Sequence, residues 1–158
     1  MKNILLIVLI FVSSLANSQS ITGMVPLDKI YFESTKDEAK LSYLLQRCSA
    51  LYTVMAIGVK EHMNNEKLFN YYYNGYSTFA TMAVLNDMNV VKKRKPNSKI
   101  DDEWMAKNTA DAIKRIIDLY KQDIANEKAR SGNSFSNFFN YDFDLCQKIE
   151  KDLTSKKQ

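Results

Sequence analysis

His62 is the only histidine in this 158-residue chain, so a Ser-His-Asp or Cys-His relay would have to run through it. It stands beside Glu61 at the end of a periodic apolar run, where an exposed cation at a helix C-terminus is the simpler account. Glu66 lies four positions further on and could share a metal with His62, but the Asn64-Asn65 turn separates them. No Glu-x-x-His supports a di-iron centre. Acid–base chemistry needs carboxylates buried as a pair in apolar surroundings. Asp87 is the best single candidate, following Ala80 and Ala83 close to an aromatic stripe, although a salt bridge or solvated helix edge explains it more simply. No P-loop, dinucleotide, nucleophile-elbow, HExxH or EF-hand pattern occurs, and the absence of C-x-x-C-H excludes covalent c-type haem. No residue is therefore assigned to catalysis or to a metal, and no cofactor is implied.

The residues best suited to binding are aromatic. Phe69–Phe79 reads FNYYYNGYSTF, six aromatics in eleven positions, too many rings to face one core. Phe69, Tyr72, Tyr73, Tyr76 and Phe79 are expected on one helix face, and Tyr71 elsewhere. Tyrosine combines an apolar body with a hydroxyl that needs a partner, which suits pockets and protein interfaces. Gly75 in the middle would let a ligand or another backbone approach closely. Tyr71, Tyr72, Tyr73, Gly75 and Tyr76 are the candidate binding patch. The alternative use of these rings is to fill a core and send their hydroxyls to its rim. A second candidate is the basic run Lys92, Lys93, Arg94 and Lys95, able to meet a lipid headgroup or an acidic partner. No aromatic interleaves it for base stacking, and the net charge of +4 is slight, so nucleic acid is not an expected partner.

The start of the chain looks like an address. Lys2, the unbroken apolar run Ile4–Val12 and the small residues Ser13, Ser14, Ala16 and Ser18 make a secretory signal peptide over residues 1–18. Cleavage after Ala16 or after Ser18 satisfies the small-residue rule. The apolar run falls short of the roughly 20 residues a spanning helix needs, so no stable membrane insertion is expected after cleavage. Outside the cytosol the two cysteines, Cys48 and Cys146, read as one disulfide. Closing most of the mature chain into one loop would stabilise it by about 4–5 kcal/mol in the chain-entropy picture. No Asn-X-Ser/Thr acceptor is present, which with the short leader points to a bacterial periplasm or secretion.

Helices must position these residues. With 46% apolar and 25% charged residues, but only 4 Gly and 2 Pro, the chain can bury a core and lacks the turn residues of a many-stranded fold. Residues 19–34, holding Gly23 and Pro26, are expected to be an irregular lead-in. Thr35 and Glu38 form a capping box before a first long helix through Leu44, Leu45, Cys48, Leu51, Tyr52, Met55 and Val59. A second is expected over residues 66–92, ending in the basic run before Pro96. A third starts at Asp101 or Asp102, carries Ile113, Ile116, Ile117, Tyr120 and Ile124, and stops at Gly132. A fourth, shorter helix holds Phe138, Phe139, Leu145, Cys146, Ile149 and Leu153. The expected fold is all-α, a compact antiparallel bundle over residues 35–154 with three long helices and a shorter C-terminal one, stapled by the disulfide. Residues 155–158 are a tail.

Two functional classes remain. The first is a small exported binding protein without catalysis, acting on a protein partner in the exported compartment. An inhibitor or immunity-type protein that plugs a cell-wall-degrading enzyme has this general layout, and so would a bacteriophage protein acting in a host periplasm. No motif carries a family resemblance. The second is a bundle that carries a ligand or cofactor, or catalyses a reaction, through a closed cavity at the aromatic cluster around Gly75. An exposed contiguous patch favours the first, and a closed cavity holding a polar group the second.

Overall fold

A computed structural model describes residues 23–97 and 99–155. The leader over residues 1–18 lies outside the described residues. Among the described residues five helices follow in order: α1 Leu27–Ser34, α2 Glu38–His62, α3 Glu66–Arg94, α4 Asp102–Ser131 and α5 Asn137–Ser155. No strand occurs among the described residues. The protein is an all-α bundle in which α2, α3 and α4 are long and pack together, with α5 joined to α2 by the Cys48–Cys146 disulfide across 98 positions.

The helix boundaries follow local chemistry. Asp37 caps α2, its carboxylate accepting from the Ala39 amide, rather than the expected Thr35–Glu38 box. Thr35 instead donates to the Phe32 carbonyl in the turn after α1. Asn64 takes a left-handed conformation at φ 43°, and Asn65 caps α3 by accepting from the Leu68 amide. Asp101 caps α4 through the Trp104 amide. Gly132 ends α4 at φ 79°, the left-handed position at which glycine escapes the Cβ penalty.

The expected irregular lead-in is corrected. Its second half is the helix α1, with Pro26 at the N-cap, where a missing amide proton costs nothing. Gly23 and Pro26, the two residues that argued against regular structure, both precede this helix. Leu27 and Ile30, three apart, bury one side of it in the core.

Helix α2 is the centre of the molecule, its buried positions including Leu44, Cys48, Leu51, Tyr52 and Val59. Helix α3 runs antiparallel beside it, as Glu38–Lys93, Gln46–Asp87 and Tyr52–Phe79 contacts descend in register. Along α5, Asp142, Cys146 and Glu150 meet Arg47, Cys48 and Tyr52 of α2 in the same order.

Candidate functional site

The aromatic run of α3 divides into two groups because a helix turns 100° per residue. Tyr72, Gly75 and Phe79, three and four apart, are buried toward α2. There the fully buried Tyr52 ring lies against Gly75, so that a Cβ at this glycine would overlap the ring. Tyr52 also meets Phe79 at 5.5 Å and Phe143 of α5 at 5.4 Å, ordinary tilted ring pairs. The close approach expected at Gly75 is therefore made by a side chain of the core. Tyr71 turns toward α5, where its hydroxyl donates to Glu150 at 3.0 Å, and the Tyr52 hydroxyl donates to the same carboxylate oxygen. Burial, reinforced by Glu150, holds the Tyr52 hydroxyl above the ordinary phenol range.

Tyr73 and Tyr76 go the other way. Tyr73 is 51% exposed and stacks on Phe69 at 5.9 Å, with Tyr76 next along at 5.7 Å. This corrects the expectation that Phe69, Tyr72, Tyr73, Tyr76 and Phe79 share one face. Tyr73 and Tyr76 stand at one end of an open groove of about 420 Å³ between α3 and α4. Its α3 wall continues through Ser77, Ala80 and Val84, and its α4 wall through Ala106, Ala110, Ile113 and Ile117. Small side chains on both walls leave the room. Thr53 of α2, with Ser77, Thr81, Thr109 and Lys114, adds polar groups to a largely apolar lining.

The remaining candidates take ordinary positions. His62 ends α2 with its side chain 77% exposed, 3.9 Å from Glu61, and Glu66 begins the next helix. Asp87 accepts from Thr109 at 2.8 Å and from Gln46 at 3.3 Å, tying α3 to α4 and α2. Lys92, Lys93, Arg94 and Lys95 are exposed at the end of α3, with Lys93 paired to Glu38. Among the described residues, no group of three or more His, Cys, Asp or Glu could hold a metal, and no helix is long and apolar enough to cross a membrane.

A cluster that sequence reading did not single out occupies the interior. Arg47 of α2 is fully buried and pairs with Asp142 of α5, also fully buried. Its Nε and Nη2 donate to the Tyr120 hydroxyl of α4 at 3.0 and 2.9 Å, and that hydroxyl donates to Asp142 at 2.7 Å. Arg47 Nη1 donates to the Val25 carbonyl, and Asp142 accepts from the Leu27 amide at 2.9 Å. The guanidinium also lies over the Phe138 ring at 5.5 Å. Burial opposes its charge, but Tyr120 and Asp142 carry its pKa above the ordinary value. Burial pushes the Asp142 carboxyl up, while Arg47, Tyr120 and the Leu27 amide pull it back. Every member has its partners, and no buried side-chain nitrogen or oxygen among the described residues lacks a hydrogen bond.

A signal for this cluster existed. The residues three and four from Arg47 on either side are Tyr43, Leu44, Ala50 and Leu51, and those around Asp142 are Phe138, Phe139, Leu145 and Cys146. A charged residue whose helical neighbours are all apolar lies on the buried face. Such charges are rarely buried unless paired.

Compared with protein-family models, curated proteins and solved structures, the chain matches none.

Proposed function

We propose that this chain is an exported, non-catalytic binding protein that engages a protein partner through the α3–α4 groove and the Phe69–Tyr73–Tyr76 ledge beside it. One observation carries the reading. The exposed Tyr73 and the half-buried Tyr76 of α3 adjoin an open, largely apolar groove, while the buried charged side chains among the described residues already have hydrogen-bond partners. Amphipathic rings at the mouth of an apolar groove match the composition of protein interfaces, where tyrosine is enriched and lysine depleted. The open wall, in place of a closed cavity with a polar group, supports this over a ligand carrier or an enzyme. Export to the periplasm or beyond is supported by the leader-like first 18 residues and by a disulfide, which persists in oxidising compartments. An inhibitor or immunity-type role against a cell-wall-degrading enzyme is one form of such binding.

The test is site-specific photocrosslinking in the exporting cell, with a photoreactive phenylalanine at Tyr73 and, as control, at the exposed Lys151. A discrete protein adduct from position 73 and none from position 151 is the expected result. Equal labelling at both positions, or none at 73, removes the groove reading. The mass of the exported product separately checks the leader, which should end at Ala16 or Ser18.

A further inference from the structure

The disulfide and the buried ion pair are neighbours on both helices that carry them. Cys48 directly follows Arg47 on α2, and Cys146 lies one turn beyond Asp142 on α5. Both sulfurs and both charges are fully buried. The same pair holds the beginning of the described chain, since Arg47 donates to the Val25 carbonyl and Asp142 accepts from the Leu27 amide. Helix α1 has eight residues, far fewer than the roughly 12–15 at which an isolated helix becomes even marginal in water. It exists by docking. It packs mainly on α2, which also supplies Arg47 to the Val25 carbonyl, but the anchor of its first amide, Asp142, sits on α5, and α5 reaches α2 through the disulfide.

We propose that the Cys48–Cys146 bond and the Arg47–Asp142 pair form one latch, in which oxidation of the cysteines fixes α5 and α5 in turn docks α1. Closing the bond removes two electrons and two protons from the two thiols, passed by exchange to a disulfide-bearing oxidant that is itself reduced to a dithiol. Without the bond, α5 loses its covalent hold, and the buried Arg47 has no reason to stay dry once Asp142 moves away. The two ends of the described chain then loosen together, while α2, α3 and α4 keep their mutual packing. Given the export reading above, on which this consequence rests, the protein completes its ends only after reaching an oxidising compartment. The latch itself does not depend on that reading.

Amide hydrogen exchange on the purified full chain tests it, independently of where the protein resides in the cell. In a Cys48→Ser, Cys146→Ser variant, the amides of α1, Leu27 foremost, and those of α5 should exchange at least about tenfold faster, with α2 and α3 holding their protection. If α1 keeps its protection while α5 loses it, or if α2 and α3 loosen to the same degree, the latch is wrong. A second variant, Arg47→Met with Asp142→Leu and Tyr120→Phe, keeps the disulfide and removes the polar anchors without stranding a charge or a buried hydroxyl. It should accelerate α1 exchange and spare α5. Unchanged α1 exchange there overturns the proposal.

Discussion

Helices α3 and α5 both lie along α2 and both meet it through aromatic rings, yet they are held by opposite means. Against α5, the chain buries a disulfide, an arginine, a carboxylate and a tyrosine hydroxyl, each with its partners. Against α3, the buried centre of the contact is made by rings and small residues, Tyr52 on Gly75 and Phe79 chief among them, while the polar ties Gln46–Asp87, Asn86–Ser42 and Glu38–Lys93 lie toward one end. The far side of α3 is left as an open groove with Tyr73 at its mouth. The contrast has a physical reason. Helix α5 is short and begins after a loop, so it buries little area and needs directional bonds. Helix α3, at 29 residues, holds chiefly by area and can leave rings uncovered. A face released from packing is free to bind.

The most severe way to break this contrast is to strand a charge on the α5 side. Arg47→Met leaves Asp142 buried and uncompensated, with an expected loss of about 3–5 kcal/mol in urea unfolding. Adding Asp142→Leu and Tyr120→Phe should recover more than half of that loss, because apolar residues of similar size leave neither a bare charge nor an unpartnered buried hydroxyl. A single-variant loss below about 1 kcal/mol would mean that water reaches the pair, and that the α5 side is not dry.

The α3 side breaks by volume instead. Gly75→Ala pushes a methyl group into the Tyr52 ring, which has no room to yield, so a loss of about 1–3 kcal/mol is expected. Gly58→Ala is the matched control. Its added Cβ meets nothing within 4 Å, so the helix gains up to about 1 kcal/mol from the better propensity of alanine. Thermal melts of the two variants should move in opposite directions. A shared upward shift would show that the Tyr52–Gly75 contact is loose.

These two glycines show how far the amino-acid sequence could be read. Both lie inside helical runs of the sequence; the three long helices and the shorter last one, a cap at Asp101 or Asp102 and the Gly132 stop followed from periodicity and local chemistry, and the cysteine pairing from an even count beside a leader-like start. Which glycine faces a ring depends on how α2 and α3 turn against each other, and no local pattern records that. Helix α1 escaped because eight residues with apolar positions at Leu27 and Ile30 carry too little periodicity to stand out beside Gly23 and Pro26. The aromatic run was legible as too many rings for one core. Its division into Tyr72 inward, Tyr71 toward α5 and Tyr73 outward was not, since each ring's direction depends on the neighbours present. Arg47 and Asp142 were legible in principle, each a lone charge among apolar neighbours, but their pairing across 95 positions was not.

Alkaline titration sharpens the comparison. Burial holds the Tyr120 hydroxyl, on the α5 side, and the Tyr52 hydroxyl, at the α2–α3 contact, above the ordinary phenol range. In the unfolded chain each ionises near pH 10, so their contribution is complete below that pH and is lost as pH rises toward the folded-state values. Each raised hydroxyl should then lower stability by about 1.4 kcal/mol per pH unit above about pH 10. Urea midpoints of wild type and Tyr52→Phe, compared between about pH 10 and 11.5, should diverge, with the variant falling less steeply. Parallel declines would place the Tyr52 hydroxyl in solvent.

The smallest expected effect on stability is the one that bears most on function. Tyr73 stacks on Phe69 but is half exposed, and its ring touches water where a core ring would touch α2. Tyr73→Ala should therefore change stability by no more than about 0.5 kcal/mol, within the error of a melt, while an interfacial tyrosine removed from a partner contact weakens binding by about 2 kcal/mol or more. That combination, a silent melt with a lost crosslink from the neighbouring Tyr76 position, separates a binding ledge from a packed one. Should Tyr73→Ala instead destabilise the bundle as Gly75→Ala does, the ring belongs to the core. The two faces of α3 would then differ in exposure without differing in purpose.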